Sequence, residues 1–256
     1  MRIDAAAYLG AWPFRAVEGG LRGLEAMLEE EGLTGALVSP LAGLFHTDPA
    51  LANDRLLRSL RGRRSLWAVP ASNARLADCH LEIERLSHRR QVRGVRLAPA
   101  FHGYPAAEAA DALRTAARCG LAAVIQLRVQ DARGQPPGLH VSDLPLGDAL
   151  ALAEAVPEAR VVIAGAKLAE LGELSRLQAR PDLWLDISHL DGLDCLARAC
   201  DAIGDERLLF ATCWPFFYAR AARLKVEEAE LSPQARARLL GGNAVRAFGL
   251  PVEVVD

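Results

Sequence analysis

The sequence lacks the features that mark several large classes of protein. Aromatic residues make up only 5% of its 256 residues, and no apolar run approaches the roughly 20 residues that a membrane-spanning helix needs. No G-x-G-x-x-G motif follows an apolar run, so a dinucleotide cradle is not predicted. The N-terminus begins Met-Arg-Ile-Asp and has no signal-peptide pattern. We therefore expect a cytoplasmic protein with no membrane partner.

Charge and cysteine content argue against two further classes. The 30 basic and 32 acidic residues are spread along the chain and give a net charge of −2, so the sequence has no electrostatic footprint for nucleic acid. The 5 cysteines form no C-x-x-C pair, and their odd number argues against a disulfide framework. We expect neither a nucleic-acid partner nor disulfide bonds.

What the sequence does contain is a regular alternation of strand-like and helix-like segments. Short apolar runs recur at intervals of roughly 30 residues, the length of a βα unit, and amphipathic segments lie between them. Because most of the runs are continuously apolar, they are typical of strands buried on both faces of a parallel sheet. They span residues 2–8, 35–40, 65–71, 92–99, 122–128, 160–165, 183–189 and 207–214.

Eight such units predict an α/β fold in which a (β/α)8 TIM barrel forms a single domain over residues 1–256. An open doubly wound sheet is the alternative architecture. In a barrel, the chemistry lies at the carboxyl ends of the strands and in the loops that follow them. The longest irregular loop, residues 129–144, follows the fifth run, and long loops of this kind tend to be functional.

Seven segments resemble motifs of the amidohydrolase-related family, and they occur in the family's order along the chain. The first strand reads Ile-Asp-Ala-Ala-Ala-Tyr-Leu-Gly at residues 3–10, which is similar to I-D-x-H-x-H-L-G. Residues 94–99 resemble G-[VI]-[KR]-L-H-P, and residues 183–188 resemble Y-L-D-x-S. The remaining matches are residues 120–126, 160–165, 207–216 and 239–249. The resemblance implies a TIM barrel of the metal-dependent hydrolase superfamily.

The positions at which this family carries its metal ligands hold other residues here. Ala6 and Tyr8 stand where the family has two first-strand histidines, and Gln126 and Gly165 stand where it has histidines after strands five and six. Cys213 replaces the aspartate of the eighth strand. A catalytic zinc site needs about three protein ligands, and of these residues only Cys213 could coordinate a metal. We therefore expect neither a metal nor another cofactor; a zinc site with atypical ligands is a further alternative.

The predicted barrel mouth still holds polar residues that could bind a small molecule. Because side chains alternate along a strand, Gln126 and Arg128 lie on the same side of the fifth strand. Arg128 and Arg133, which flank Asp131, could clamp a carboxylate or a phosphate. A structural salt-bridge cluster is the alternative. The candidate substrate-binding residues are Tyr8, Arg96, Tyr104, Gln126, Arg128, Asp131, Arg133 and Cys213.

Three residues are candidates for catalysis. His102 follows the fourth strand and His189 follows the seventh, so either could act as a general acid or base near neutral pH. Asp186 lies within the seventh strand and is the third candidate. For His102, a hydrogen bond to the backbone of its glycine-containing turn is the alternative. Cys213 could act as a nucleophile, but its apolar sequence context favours an unreactive thiol.

Two functions remain open. The first is a metal-free family member that acts on or binds a small anionic molecule at the barrel mouth, with hydrolase or lyase chemistry through acid and base groups. The second is a catalytically inactive barrel that serves as a subunit or regulatory partner, and a homo-oligomer is left open. A deep pocket with convergent polar groups would favour the first. A filled mouth with an exposed apolar patch would favour the second.

Overall fold

Short parallel strands form the framework of the chain. The computed structural model describes residues 1–130, 135–136 and 138–251, without the side chains of residues 174–179. The strands pair in the order β1-β2-β3 in one sheet and in sequence order from β4 to β9 in the other. They are β1 (Ile3–Leu9), β2 (Gly35–Pro40), β3 (Leu66–Ala68), β4 (Ala71–Ser72), β5 (Gly94–Leu97), β6 (Ala122–Gln126), β7 (Val161–Ala164), β8 (Leu183–Asp186) and β9 (Leu208–Leu209).

Strands β3 and β4 occupy a single position around the barrel. They are separated by Val69 and Pro70, and Pro70 has no N–H with which to continue the ladder. The backbone still bridges the gap, because the Val69 N–H donates to the Val38 carbonyl at 2.8 Å and the Arg96 N–H donates to the Pro70 carbonyl at 2.7 Å. The two sheets are therefore continuous at this point.

The ring closes between β1 and the segment that follows β9. The Ala5 N–H donates to the Phe210 carbonyl at 2.8 Å, and the Tyr8 N–H donates to the Trp214 carbonyl at 2.9 Å. The eight strand positions thus form a closed parallel barrel, which confirms the predicted fold. Each predicted run contains a strand, but Val69 and Phe210, which the runs placed inside strands, lie just outside them.

Helices cover the outside of the barrel. They are α1 (Leu21–Glu30), α2 (Ala50–Ser59), α3 (Cys79–Ser87), α4 (Pro99–His102), α5 (Ala110–Arg118), α6 (Leu146–Ala155), α7 (Cys195–Ile203), α8 (Ala219–Glu228), α9 (Pro233–Ala237) and α10 (Asn243–Phe248). The 3-10 segments and one π turn are Leu41–Leu44, Ala106–Ala109, Leu168–Ala179, Asp205–Arg207 and Arg238–Gly242. Within the described ranges, no helix is both long and apolar enough to cross a membrane.

Apolar side chains fill the molecule in layers. The largest cluster lies between the strands and the surrounding helices. A second cluster fills the foot of the barrel, where Trp67, Trp184 and Phe248 pack among small side chains such as Ala5. A third lies at the carboxyl ends of the strands and contains Tyr8, Trp12, Leu41, Leu44, Ala98, Val129, Cys213 and Phe216. Because the foot is apolar, the polar groups of the interior are concentrated in the upper barrel.

Candidate functional site

A hydrogen-bonded network around Arg96 occupies the upper interior of the barrel. Arg96 lies on β5 and is only 1% exposed. Its Nε donates to Ser39 Oγ at 2.8 Å, and its Nη1 donates to Gln126 Oε1. The Tyr8 hydroxyl donates to the same Gln126 oxygen at 2.8 Å, and the guanidinium carbon lies 4.9 Å from the centroid of the Tyr8 ring. Three of the predicted site residues, Tyr8, Arg96 and Gln126, are thus in direct contact.

The positive charge of Arg96 has no carboxylate in direct contact within the described part of the chain. Its Nη2 is buried and makes no hydrogen bond to a described residue. Burial raises the pKa of Tyr8 and of Cys213, and the charge of Arg96 only partly offsets that rise. Both groups are therefore protonated near neutral pH. A buried donor without an acceptor costs free energy, so the burial of Arg96 Nη2 is energetically unfavourable.

Asp4 anchors the first strand to the loop after β9. Its Oδ1 accepts hydrogen bonds from the Ala6 and Thr212 N–H groups at 3.0 Å each, and its Oδ2 accepts one from the Thr212 hydroxyl at 2.5 Å. Burial raises the pKa of this carboxyl, and the hydrogen bonds from Thr212 oppose the rise. The contacts fix the backbone that leads into Cys213, so Asp4 has a positioning role.

Cys213 belongs to the apolar cluster at the carboxyl ends of the strands. It is 1% exposed, its backbone is in the left-handed region with φ 54°, and its thiol contacts the Val129 carbonyl at 3.5 Å. Burial and the neighbouring Asp186 raise its pKa well above the ordinary value. The thiolate that a nucleophile needs is thereby disfavoured. This geometry agrees with the unreactive thiol that its sequence context favoured.

Arg128 follows β6 and forms a salt-bridge cluster with side chains from the loops after β6 and β7. Its Nε donates to Asp143 at 2.7 Å, and its Nη1 and Nη2 donate to the two carboxylate oxygens of Glu170 at 2.9 and 2.6 Å. Lys167 also contacts Asp143 at 3.3 Å. Burial alone would lower the pKa of Arg128, but the two carboxylates more than offset it. The structure thus has the salt-bridge alternative, and the guanidinium that was predicted to clamp a ligand binds the chain's own carboxylates.

Gly165 provides the space in which Arg128 and His189 pack. Its φ is +88°, and a Cβ at this position would lie 2.7 Å from the Arg128 carbonyl oxygen and 3.4 Å from His189 Nδ1. A side chain here would therefore collide with the backbone of the neighbouring strand position. The packing explains why a residue larger than glycine does not fit at one of the positions where the resemblance implies a histidine.

His189 is connected to Asp186 through Ser188. The Ser188 hydroxyl donates to Asp186 Oδ1 at 2.7 Å and lies 2.9 Å from His189 Nδ1. Because that hydroxyl has one proton, His189 Nδ1 donates to it and Nε2 carries the lone pair. Nε2 is buried and has no partner among the described residues, and the ring packs against Phe217. Burial lowers the pKa of His189, so the neutral imidazole is favoured.

His102 and Tyr104 form a separate pair under α4. His102 Nε2 contacts the Gly43 carbonyl at 2.9 Å, and its ring stacks on Tyr104 with centroids 6.3 Å apart. Burial lowers the pKa of His102 and raises that of Tyr104. His102 therefore has the backbone hydrogen bond that was its alternative role, although the partner is in a different loop. The other two candidates, Asp131 and Arg133, lie outside the described residues.

Aromatic rings fill the barrel mouth above the Arg96 network. The Trp12 ring lies 4.7 Å from Phe216 and 5.0 Å from Phe45, and Phe45 lies 5.9 Å from Phe101, all edge to face. Trp12 is 4% exposed. These rings come from the loops after β1, β2, β5 and β9, so they meet at the carboxyl ends of the strands. The mouth is closed in this structure.

A small cavity remains beside this aromatic cluster, with a volume of about 10 Å³. Two buried N–H donors in its lining, Trp12 Nε1 and Gln130 Nε2, make no hydrogen bond with any residue that the structure describes. Arg128, Phe101 and Asp143 also line it, whereas Gln126, His102 and Tyr104 do not. Among the described residues, Arg128 is thus the one sequence-predicted candidate that lines this cavity.

Sequence analysis missed Trp12, Gln130, Asp143 and Glu170. Trp12 directly follows the first strand, and Gln130 and Asp143 lie within the long loop 129–144, so position alone could have suggested them. Glu170 is 42 residues from its partner Arg128. Nothing in the local sequence indicates that pairing, because it depends on how the loops after β6 and β7 meet.

The metal that the resemblance implies does not fit the residues present. Among the residues that the structure describes, no group of three or more His, Cys, Asp or Glu side chains could hold a metal ion. Ala6 has no donor atom, and Gly165 has no room for a larger side chain. Tyr8 and Gln126 are hydrogen-bonded to each other, and Gln126 also accepts from Arg96.

Comparison with known proteins extends the sequence resemblance. A family model described as amidohydrolase matches residues 52–250. An L-fucono-1,5-lactonase from Burkholderia multivorans is 36% identical over 73 residues. That match covers 26% of this chain and 24% of the lactonase, so it is confined to about a quarter of each protein.

Two solved structures are similar over nearly the whole chain. The 5-carboxyvanillate decarboxylase from Sphingomonas paucimobilis is 15% identical, with a TM-score of 0.72 and coverage of 98% of this chain and 99% of that one. A dihydroxybenzoic acid decarboxylase from Polaromonas sp. JS666, solved with bound manganese and 2-nitroresorcinol, is 16% identical, with a TM-score of 0.70 and coverage of 99% and 98%. These likenesses show the TIM-barrel fold. Together with the family model, which matches more than half of the sequence, they lead to one conclusion: the chain belongs to the amidohydrolase family.

Proposed function

We propose that this barrel binds a small carboxylate-bearing molecule at its mouth without a metal. One observation carries the proposal: the upper barrel contains buried N–H donors that have no acceptor among the described residues, namely Arg96 Nη2, Trp12 Nε1 and Gln130 Nε2. Each unsatisfied buried donor costs about 1–3 kcal/mol. A carboxylate supplies acceptors only and is the natural complement of such a set.

The similar proteins support an aromatic acid as the ligand class. Two of them are named as decarboxylases of 5-carboxyvanillate and dihydroxybenzoic acid, both of which are aromatic carboxylates. In this chain, Trp12, Phe45 and Phe101 offer ring faces and edges beside the orphan donors. Edge-to-face and offset contacts of this kind stabilise a bound ring.

Ligand entry requires the aromatic cluster to open. The cavity of about 10 Å³ holds at most one water molecule, so an aromatic acid must displace Trp12 and its neighbours. Trp12 lies in the irregular segment between β1 and α1.

His189 is the general base or acid that we propose for any reaction at this site. Its Nδ1 is oriented by the chain through Ser188 to Asp186, which leaves the Nε2 lone pair available. Burial lowers its pKa, so the imidazole is neutral and able to accept a proton near neutral pH. This arrangement is compatible with hydrolase or lyase chemistry.

Thermal unfolding in the presence of aromatic acids tests the proposal. Benzoate and 2,6-dihydroxybenzoate should raise the unfolding temperature with saturable dose dependence, and uncharged benzamide should raise it less. Trp12→Phe removes one donor and should weaken benzoate binding about tenfold. Trp184→Phe is the matched control, because Trp184 Nε1 is also buried with no partner among the described residues but lies at the barrel foot. Absence of any stabilisation by carboxylates at millimolar concentration would contradict the proposal.

A catalytically inactive subunit is the second candidate function, and the filled mouth favours it. Leu193 and Tyr218 are 85% and 88% exposed, and Phe14 is 37% exposed. They follow β8, β9 and β1, which are neighbours around the closed barrel. We propose another copy of this barrel as the partner. Light scattering should then give the mass of a dimer that Leu193→Ser with Tyr218→Ser converts to a monomer.

A further inference from the structure

A groove lined by arginines lies at the end of the barrel opposite the mouth. It is formed where α2 and α3 end, beside the two segments that lead into the amino ends of β3 and β5. Its volume is about 640 Å³, which is within the size range of pockets that hold small molecules. The lining includes one carboxylate and five arginines, and these residues are Asp54, Arg58, Arg61, Arg85, Arg89 and Arg90. Because the whole chain has a net charge of −2, this concentration of positive charge is local.

The protein's own contacts connect the walls of the groove. Arg85 Nη2 donates to Asp54 Oδ1 at 3.1 Å, which joins α3 to α2. The Gln91 side-chain amide donates to the Leu60 carbonyl and, at 3.2 Å, to the Arg63 carbonyl, which joins the segment after α3 to the segment after α2. The carboxylate of the lining is therefore already paired with Arg85, and the groove has its shape without a ligand.

The remaining arginines of the lining have no counter-charge. Their side chains are exposed and make no hydrogen bond or ion pair with the residues that the structure describes; they are Arg58, Arg61, Arg89 and Arg90. Arg90 also lines the adjoining surface together with Arg93, whose buried Nε has no acceptor in the described chain. Burial lowers the pKa of Arg93, and the charge of Arg90 lowers it further. The arginines around the groove therefore repel one another, and a multivalent anion would offset this repulsion.

We propose that this groove binds a small anion that carries several phosphate groups. The planar guanidinium can donate two parallel hydrogen bonds to a phosphate, and several such groups around one recess match an anion with more than one phosphate. The attraction of a helix C-terminus for cations accounts for Arg58, which lies in the last turn of α2. It does not account for Arg61 or Arg90, which lie beyond the helix ends. Because the groove is at the amino ends of the strands, the proposal is independent of the carboxylate site at the mouth.

Titration calorimetry of the full chain with inorganic tripolyphosphate tests the proposal. We expect saturable binding of about one equivalent, weakened by added salt because exposed charges are screened. Inorganic phosphate should bind at least about tenfold more weakly, because a single phosphate engages fewer arginines. Arg61→Gln with Arg90→Gln should weaken tripolyphosphate binding by at least about tenfold. The matched control is Arg22→Gln with Arg198→Gln, because both arginines are exposed outside the groove and the change in net charge is the same; its affinity should change by less than about twofold.

Three results would overturn the proposal: no saturable binding of tripolyphosphate at millimolar concentration, equal weakening in the two double variants, or phosphate binding as tight as tripolyphosphate binding. A single-stranded oligonucleotide that displaces tripolyphosphate and binds more tightly would identify nucleic acid as the ligand and overturn the choice of a small anion. Circular dichroism establishes that each variant is folded. Failure of benzoate to stabilise the protein would contradict only the proposed function, because these titrations involve no carboxylate and no residue of the mouth.

Discussion

Two arginines on adjacent strand positions are buried in the upper barrel, and their surroundings differ. Arg128 is 4% exposed and has two carboxylates and a carbonyl oxygen within hydrogen-bond distance. Arg96 is 1% exposed, and its acceptors in the described part of the chain are one hydroxyl and one amide oxygen. The Gln126 side chain connects the two regions, since its amide donates to the Arg128 carbonyl at 2.5 Å and its oxygen accepts from Arg96.

The contrast separates a structural arginine from one that is available for function. Around Arg128, each guanidinium nitrogen has an acceptor, so the charge is neutralised and the two loops after β6 and β7 are held together. Around Arg96, the described residues provide no carboxylate in direct contact with the charge, and Nη2 has no acceptor among them. Buried charge without a partner is retained only where something offsets its cost, and the Arg96 region is where we place the ligand.

The largest loss of stability is expected from replacing Arg128, the arginine whose charge is neutralised by two carboxylates. Arg128→Met would leave Asp143 and Glu170 without their shared cation and should lower the free energy of unfolding by about 3–5 kcal/mol. Urea unfolding followed by circular dichroism measures the change. Arg93→Met is the matched control, because Arg93 is half-buried, makes no ion pair in the described chain and should cost less than about 1 kcal/mol. Equal losses for the two variants would remove the distinction between the arginines.

The sequence predicted the framework better than the site. Continuously apolar runs located the strand positions, because burial on both faces leaves that pattern in the residues themselves. The ladder break at Pro70 is local and was available in principle from proline's missing N–H. The pairing of Arg128 with Glu170 could not be predicted in this way, because the two residues are 42 positions apart and meet only through the arrangement of the loops. The same holds for the aromatic closure by Trp12 and Phe216, which come from opposite ends of the chain.

A second test adds a methyl group at Gly165, in the space where Arg128 and His189 pack. Gly165→Ala places a Cβ 2.7 Å from the Arg128 carbonyl oxygen and adds the strain of a positive φ of 88°. We expect a loss of about 2–4 kcal/mol from the combined collision and strain. Gly120→Ala is the control with a positive φ of 68° and nothing within contact of the new Cβ, and it should cost about 1–2 kcal/mol from strain alone. A loss at Gly165 no greater than that at Gly120 would show that the packing is loose.

The pH dependence of stability reports on His189, which packs between the Arg128 region and the mouth. Burial lowers its pKa in the folded protein, so the unfolded chain binds more protons below the ordinary value of about 6.5. The stability linked to this group is fully present above that value and is lost as the pH falls toward the folded pKa, with a slope of at most about 1.4 kcal/mol per pH unit. His189→Gln should flatten the urea-unfolding profile between about pH 7 and pH 5. The exposed His88→Gln should leave it unchanged.

The smallest change in stability is expected from replacing Arg96, and this substitution tests the contrast between the two arginines most directly. In Arg96→Met the partners are not stranded: Gln126 Oε1 still accepts from the Tyr8 hydroxyl, and the Ser39 hydroxyl still donates to the Val69 carbonyl at 2.7 Å. Replacing an uncompensated buried charge by an apolar side chain of similar length is often neutral or stabilising, so the free energy of unfolding should change by less than about 1 kcal/mol or rise.

Benzoate binding should nevertheless weaken by about ten- to a hundredfold, because a charge-assisted contact worth about 1.5–3 kcal/mol is lost. Urea unfolding and ligand titration of one protein preparation measure both quantities. If Arg96→Met destabilises the fold as much as Arg128→Met does, Arg96 is a structural arginine and the contrast between the two regions does not hold.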